Sequence, residues 1–257
     1  MNRISTQAAR ALPALFLVAL FVTNSPSANA DLILHYRGDN NALDSSGYGN
    51  HGALNNGTSY GSGVSGAAFV FDGSNDTVEG PVVTQLNNSA FTIAMFVKSA
   101  PNSGHRLLAD TSHGGNRGGI NHEGFALQLV NGFANLAVGN GSSFPSVFSS
   151  TAINDDQFHH VAGTFDGSQI SIYIDGVLEN TTAYTGTYDL SERNFRLGNH
   201  DQFTNRALNG SLDDVRLYNE ALSGSQIAAL AAIPEPGTGF LVCCAGLGML
   251  MVRRKKI

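Results

Sequence analysis

The sequence has no tryptophan, two cysteines and few basic side chains, 14 lysines and arginines in 257 residues. Both cysteines, Cys243 and Cys244, sit in an apolar stretch near the C-terminus, so residues 31–232 hold no thiol. That region therefore has no disulfide, no cysteine nucleophile and no Cys-type zinc site. Nor is there a His-Glu-x-x-His pair, the usual mark of a zinc protease. No βαβ unit, heptad run or exact internal repeat is visible. Six of the basic residues and one acidic residue, Glu235, fall in the two ends. The remaining eight basic and 19 acidic groups give residues 31–232 a formal charge of −11. Such a balance argues against nucleic acid as a partner, because phosphates call for a basic surface.

What is present at the ends reads as delivery and not as fold. Arg3 and Arg10 precede the apolar run Leu12 to Val22, which is too short to span a bilayer comfortably, since that takes about 20 residues. It closes on Ala28-Asn29-Ala30, a small-x-small exit, so residues 1–30 read as a signal peptide cut by signal peptidase after Ala30. At the other end, Pro234-Glu235-Pro236 leads into apolar Phe240 to Val252 and then Arg253-Arg254-Lys255-Lys256. The basic cluster would stay cytoplasmic and hold everything upstream outside. Residues 233–257 resemble the PEP-CTERM sorting signal, with Pro234, Glu235, Pro236, Arg253 and Arg254 as its motif. The resemblance implies transient anchoring in the inner membrane, recognition by an exosortase and removal of the tail. Destination would then be the cell surface or extracellular matrix. A permanent transmembrane anchor is the alternative.

Between the ends, short runs of period two alternate with turn dipeptides. Ile93, Met95 and Val97 share one face of a strand, as do Phe125, Leu127 and Leu129. Asn131-Gly132 predicts a type I′ hairpin into Phe133 to Val138. His159 to Leu178, broken by Asp166-Gly167 and Asp175-Gly176, predicts a three-stranded antiparallel meander. One helix is expected after Ser223, where Ser223-Gly224-Ser225-Gln226 forms a capping box ahead of Ile227, Leu230 and Ile233. The class is all-β, a two-sheet antiparallel sandwich with one short C-terminal helix.

Five segments in order resemble the LamG-like jelly roll, the concanavalin A-like sandwich. They are Leu34–Tyr36 with Asp44–Gly52, Ala68–Asp76, Phe91–Lys98, Phe158–Gly167 and Gly210–Asn219. Phe96 stands where that family usually has tryptophan. Hydrolases on this fold often carry Glu-x-Asp-x-x-Glu on one strand face, and no such string occurs here. Glu79, Glu123, Glu179, Glu192 and Glu220 are scattered singly, whereas glycoside hydrolysis needs two carboxyls flanking one bond. Adjacent Asp155-Asp156 and Asp213-Asp214 would face opposite ways on a regular strand. The expectation is a non-enzyme; carboxylates paired across strands keep a divergent glycoside hydrolase open.

The resemblance further implies a structural Ca2+ tying the first loop to the last strand, with Asp39, Asp44 and Asp213 as ligands and Asn41 and Asp214 as outside candidates. Ordinary turn chemistry is the other reading of those aspartates. His159-His160 reads as a structural strand. For a ligand, Gly104 to Gly124 gathers polar side chains among glycines, and His113, Asn116, Arg117 and His122 are its weak candidates. Without tryptophan, Tyr48, Tyr60, Phe144 or Phe203 would have to serve as a stacking platform. The expected partner is carbohydrate, such as an extracellular polysaccharide, or another surface component; a structural or adhesive protein–protein module is the rival.

Overall fold

The computed structural model describes residues 30–101, 104–111, 122–189, 192–200 and 205–232. Ala28, the loop residues His113, Asn116 and Arg117, and the sorting residues Pro234, Glu235, Pro236, Arg253 and Arg254 lie outside the described residues. Among the described residues no helix is long and apolar enough to cross a membrane.

The strands in chain order are β1 (Leu32–Tyr36), β2 (Ala53–Asn55), β3 (Ser59–Ser62), β4 (Ala67–Asp72) and β5 (Thr77–Glu79). Next come β6 (Phe91–Ser99), β7 (His105–Asp110), β8 (Phe125–Val130), β9 (Phe133–Val138) and β10 (Ser146–Ala152). The last are β11 (Phe158–Phe165), β12 (Gln169–Ile174), β13 (Val177–Ala183), β14 (Arg196–Leu197) and β15 (Asn209–Tyr218), before helix α1 (Gly224–Ala231). They form two antiparallel sheets, as the strand pattern predicts. One has eight strands in the order β13-β12-β11-β6-β15-β4-β3, with β1 also paired to β15. The other has seven, in the order β10-β9-β8-β7-β14-β5-β2.

Alternation decides what faces what. Ile93, Met95 and Val97 of β6 and Phe125, Leu127 and Leu129 of β8 join one buried cluster between the sheets. Phe91 stacks on Phe125 across that gap at 4.7 Å, and Phe91 and Phe165 make T-shaped contacts with Tyr188. With no disulfide, this packing carries the fold; truncating one such ring to alanine costs about 3–5 kcal/mol.

The turn residues act as their chemistry requires. Asn131 and Gly132 (φ 54° and 90°) and Asp175 and Gly176 (φ 50° and 80°) occupy the two left-handed positions of type I′ turns. Asp166-Gly167 differs. Its carboxylate accepts from the amides of Ser168 and Gln169, making a longer turn capped by its own first side chain.

Ser223 caps α1 through the expected box with Gln226. The helix buries Ile227 against Ala94, Ala162, Tyr173 and Leu222, on the outer face of the eight-stranded sheet, with Leu230 and Ala30 packed alongside. One outer face is thus covered. The outer face of the seven-stranded sheet carries no helix among the described residues.

Candidate functional site

On that second outer face, strand register lines up a row of side chains. Val78, Leu197, Ala109, Leu127 and Leu136 point into the core, so their neighbours point outward. Pairing runs Ala53–Glu79–Arg196–Asp110–Ala126–Ala137–Ser146 across all seven strands. Six inter-strand steps of about 4.8 Å make the row roughly 29 Å long. A parallel row runs Leu107–Gln128–Asn135–Phe148.

The two ends of this face differ in chemistry. At the β2–β5–β14 end lies a cavity of about 440 Å³, bordered by Asn55, Asn56, Asn75, Glu79, Arg196 and His200. Glu79 Oε1 accepts from Asn194 Nδ2 at 2.7 Å and lies 3.5 Å from Arg196, so the carboxylate is held in place. His200 Nε2 sits 3.4 Å from Asp110, both nearly fully buried, and closes the cavity toward the middle of the face. At the β9–β10 end, Phe148 and Phe133 are 44% and 37% exposed, large for rings on strands. Both flank Asn135, whose Oδ1 accepts from Gln128 Nε2 at 3.0 Å and whose Nδ2 donates to Val147 O. Gln128 Oε1 has no hydrogen-bond partner among the described residues. Amides, a carboxylate, a guanidinium and an imidazole at one end, with exposed rings beside amides at the other, are chemistry suited to a hydroxyl-rich ligand.

A second cavity, about 270 Å³, lies where β15 changes partner. Residues Asn209–Leu212 pair with β4, whereas Val215–Tyr218 pair with β1, so a gap opens beside Asp213 and Asp214. The register slips there against β6, and Asp214 is left-handed with φ 50°. This β-bulge overrides the alternation expected of adjacent aspartates: both line the same cavity, with His35, Asp39 and Arg216. Asp213 Oδ2 accepts from the amides of Val64 and Ser65 at 2.7 and 3.3 Å. Its Oδ1 is buried without a hydrogen-bond partner among the described residues, and burial pushes its carboxyl up to about 6 against those amides. Asp214 is different: burial opposes, but His35 Nε2 at 2.6 Å and Arg216 at 2.9 Å hold it below the usual carboxylate range.

Of the three aspartates predicted to bind calcium, Asp39 and Asp213 share this cavity. Gly63 and Gly66 make room for them, since a Cβ at either would collide with a carboxylate oxygen of Asp213 or Asp39. Asp39 Oδ1 also accepts from Ala67 N. Asp44 is not brought there. Its Oδ1 accepts from the amides of His35 and Ser46, and its Oδ2 from Asn50 N and Ser46 Oγ. Asn41 closes its own turn through Leu43 N. Among the described residues no three His, Cys, Asp or Glu side chains gather as a metal group.

His122, the described one of the four candidates in the predicted ligand stretch, makes a T-shaped contact with Phe144 at 4.9 Å. Tyr60 leans on core Phe69, and Tyr48 is exposed. His159 bridges Asp155 and Asp175 on the surface, and His160 packs on Phe96, consistent with a structural strand. Sequence reasoning passed over Phe133 and Phe148; the signal for Phe148 was the alternation Val147-Phe148-Ser149, apolar on both faces.

Comparison with known proteins gives three findings. Residues 72–228 match the family described as the concanavalin A-like lectin/glucanases superfamily. No curated protein sequence matches. Among solved structures, domain 4 of AbnA, a GH43 extracellular arabinanase from Geobacillus stearothermophilus in complex with arabinotriose, is similar with a TM-score of 0.66 and 23% identity. That alignment covers 79% of this chain and 99% of the other. The binding domain of Paraclostridial Mosquitocidal Protein 1 is similar with a TM-score of 0.63 and 16% identity, covering 78% of this chain and 52% of the other. A botulinum neurotoxin type C structure, described as dependent for cell entry on two ganglioside molecules, gives 0.63 and 17%, covering 78% and 50%. The chain thus spans about half of each toxin chain.

Proposed function

The chain belongs to the concanavalin A-like lectin/glucanase superfamily, and from that premise we propose that its sandwich is a carbohydrate-binding module without catalytic activity. The observation that carries this reading is the outer face of the seven-stranded sheet. A fixed set of amides and charged groups around 440 Å³ stands at one end of that face, and the exposed Phe133 and Phe148 stand at the other. That volume falls in the range of ordinary ligand sites. Sugar hydroxyls would take their hydrogen bonds from Asn55, Asn75, Glu79 and Arg196, and a ring face would stack on Phe148. Similar structures include a domain crystallised with arabinotriose and toxin binding domains, which supports a glycan or surface-component ligand.

A glycan array followed by titration calorimetry tests the reading. Binding should fall about tenfold in Phe148→Ala and in Arg196→Ala, the equivalent of about 1.4 kcal/mol each. Silence on every glycan by the folded domain would overturn it and favour a protein–protein module, to which Val177 and Leu178, exposed on β13, offer apolar surface.

We propose calcium for the second cavity. Asp213 would supply a buried oxygen that has no partner among the described residues and Asp39 a second carboxylate, the hard oxygen ligands calcium takes. Bound there, the ion would neutralise the buried Asp213 and tie the loop after β1 to β15. Export through the signal peptide, sorting by an exosortase and a place at the cell surface or in the matrix complete the proposal.

A further inference from the structure

Beyond Glu79 and Arg196 the same strands lead to a cavity of another character. The ladder of β5 and β14 continues through Gly80 N to Phe195 O at 2.8 Å and Phe195 N to Pro81 O at 3.1 Å. Three residues past the paired Glu79 and Arg196, roughly 10 Å along the strands, stand Val82 and Arg193. They border a cavity of about 230 Å³ with Val83, Leu86, Thr111 and Tyr188. The walls are mostly apolar, unlike the neighbouring cleft.

Beside Thr84, Thr111 and Arg193, the lining includes Tyr188. Its ring is fixed by T-shaped contacts with Phe91 and Phe165, and the residue is 1% exposed. Its hydroxyl is buried and has no hydrogen-bond partner among the described residues. Burial raises its pKa, so it stays a neutral donor. A buried donor left unmade is costly and rare enough to need an explanation. Mostly apolar walls with one buried hydroxyl awaiting an acceptor suit poorly an unsubstituted sugar ring, which would press several hydroxyls against apolar side chains. They do suit a group with one acceptor oxygen on an apolar body.

We propose that this cavity takes the acyl substituent of a decorated sugar, an O-acetyl or N-acetyl group. Its carbonyl oxygen accepts from Tyr188 Oη, and its methyl packs on Val83 and Leu86. The inference rests on the sugar-binding reading, because ring hydroxyls of the same ligand would occupy the polar cleft roughly 10 Å away.

The test is calorimetry with two matched pairs on the full chain. One pair is O-acetylated xylo-oligosaccharides and the same material after saponification; the other is chitotriose and cellotriose, which differ only in the acetamido group. The acylated member of at least one pair should bind about tenfold more tightly. Tyr188→Phe keeps the ring and should erase that preference while leaving the unsubstituted sugar's affinity unchanged. Val82→Phe, filling the cavity from its half-buried rim, should do the same. Equal binding of both members of each pair, or a preference that survives in both variants, overturns the acyl site and leaves the sugar reading standing. Binding of neither member of either pair overturns both.

Discussion

Replacing Asp44 by alanine separates a loop cap from a metal ligand. Asp44 is 8% exposed, and its two oxygens accept four hydrogen bonds of 2.8–2.9 Å, from His35 N, Ser46 N, Asn50 N and Ser46 Oγ. Burial pushes its carboxyl up, but these donors win and hold it below the usual range. Its contribution is therefore present above the ordinary aspartate pKa and lost as pH falls through the lowered folded value. In Asp44→Ala the amides of His35 and Asn50, both in buried residues, lose their acceptor. At about 1–3 kcal/mol for each stranded donor, the loss should be roughly 3–4 kcal/mol. For a domain of this size that lowers Tm by about 10 °C. Thermal unfolding by circular dichroism at pH 7, once in chelator and once with calcium, measures it. The full loss should appear in chelator. A variant within about 1 kcal/mol of the parent in chelator, with a penalty only when calcium is added, would refute the capping argument and make Asp44 a ligand.

Three further outcomes follow from the same geometry. Calcium should raise Tm of the parent by mass action, and Asp213→Asn should abolish that shift; equal Tm values with calcium and chelator would remove the cation site. The neighbours His159 and His160 should oppose each other with pH. For His159, burial works against protonation, but Asp175 and Asp155 raise its pKa, so its contribution is full below about 6.5 and fades as pH rises through the raised value. Burial lowers His160 to about 4, so its contribution holds above about 6.5 and is lost toward pH 4, by roughly 3 kcal/mol. His160→Leu should flatten that acid limb, and His159→Gln should lower Tm below about pH 6.5 more than at pH 8, read from Tm between pH 4 and 8. Mature protein recovered from its host should lack residues 1–30 and the apolar tail; a mass retaining residues 240–257 in the membrane fraction would mean a permanent anchor.

Much of the fold was legible because its signals are local. Ile93, Met95 and Val97 needed only their spacing to declare a strand with one buried face, and Asn131-Gly132 and Asp175-Gly176 needed only their tolerance of positive φ to declare hairpins. The capping box at Ser223 and Gln226 is likewise contained in four residues. The site was less legible. Phe148 looks like core material in a strand whose other face is also apolar, and only pairing to Asn135 puts it on the outside.

The sequence by itself determined which segments extend, where they turn and which family of sandwich they build, because backbone preference and period-two burial act over a few residues. Tertiary structure alone decided which polar groups meet. Asp213 and Asp214 share a cavity because β15 passes from β4 to β1 and bulges there, and Glu79 reaches Arg196 only through the order of the sheet. Such meetings depend on pairing between strands more than a hundred residues apart in the chain, which no local pattern records.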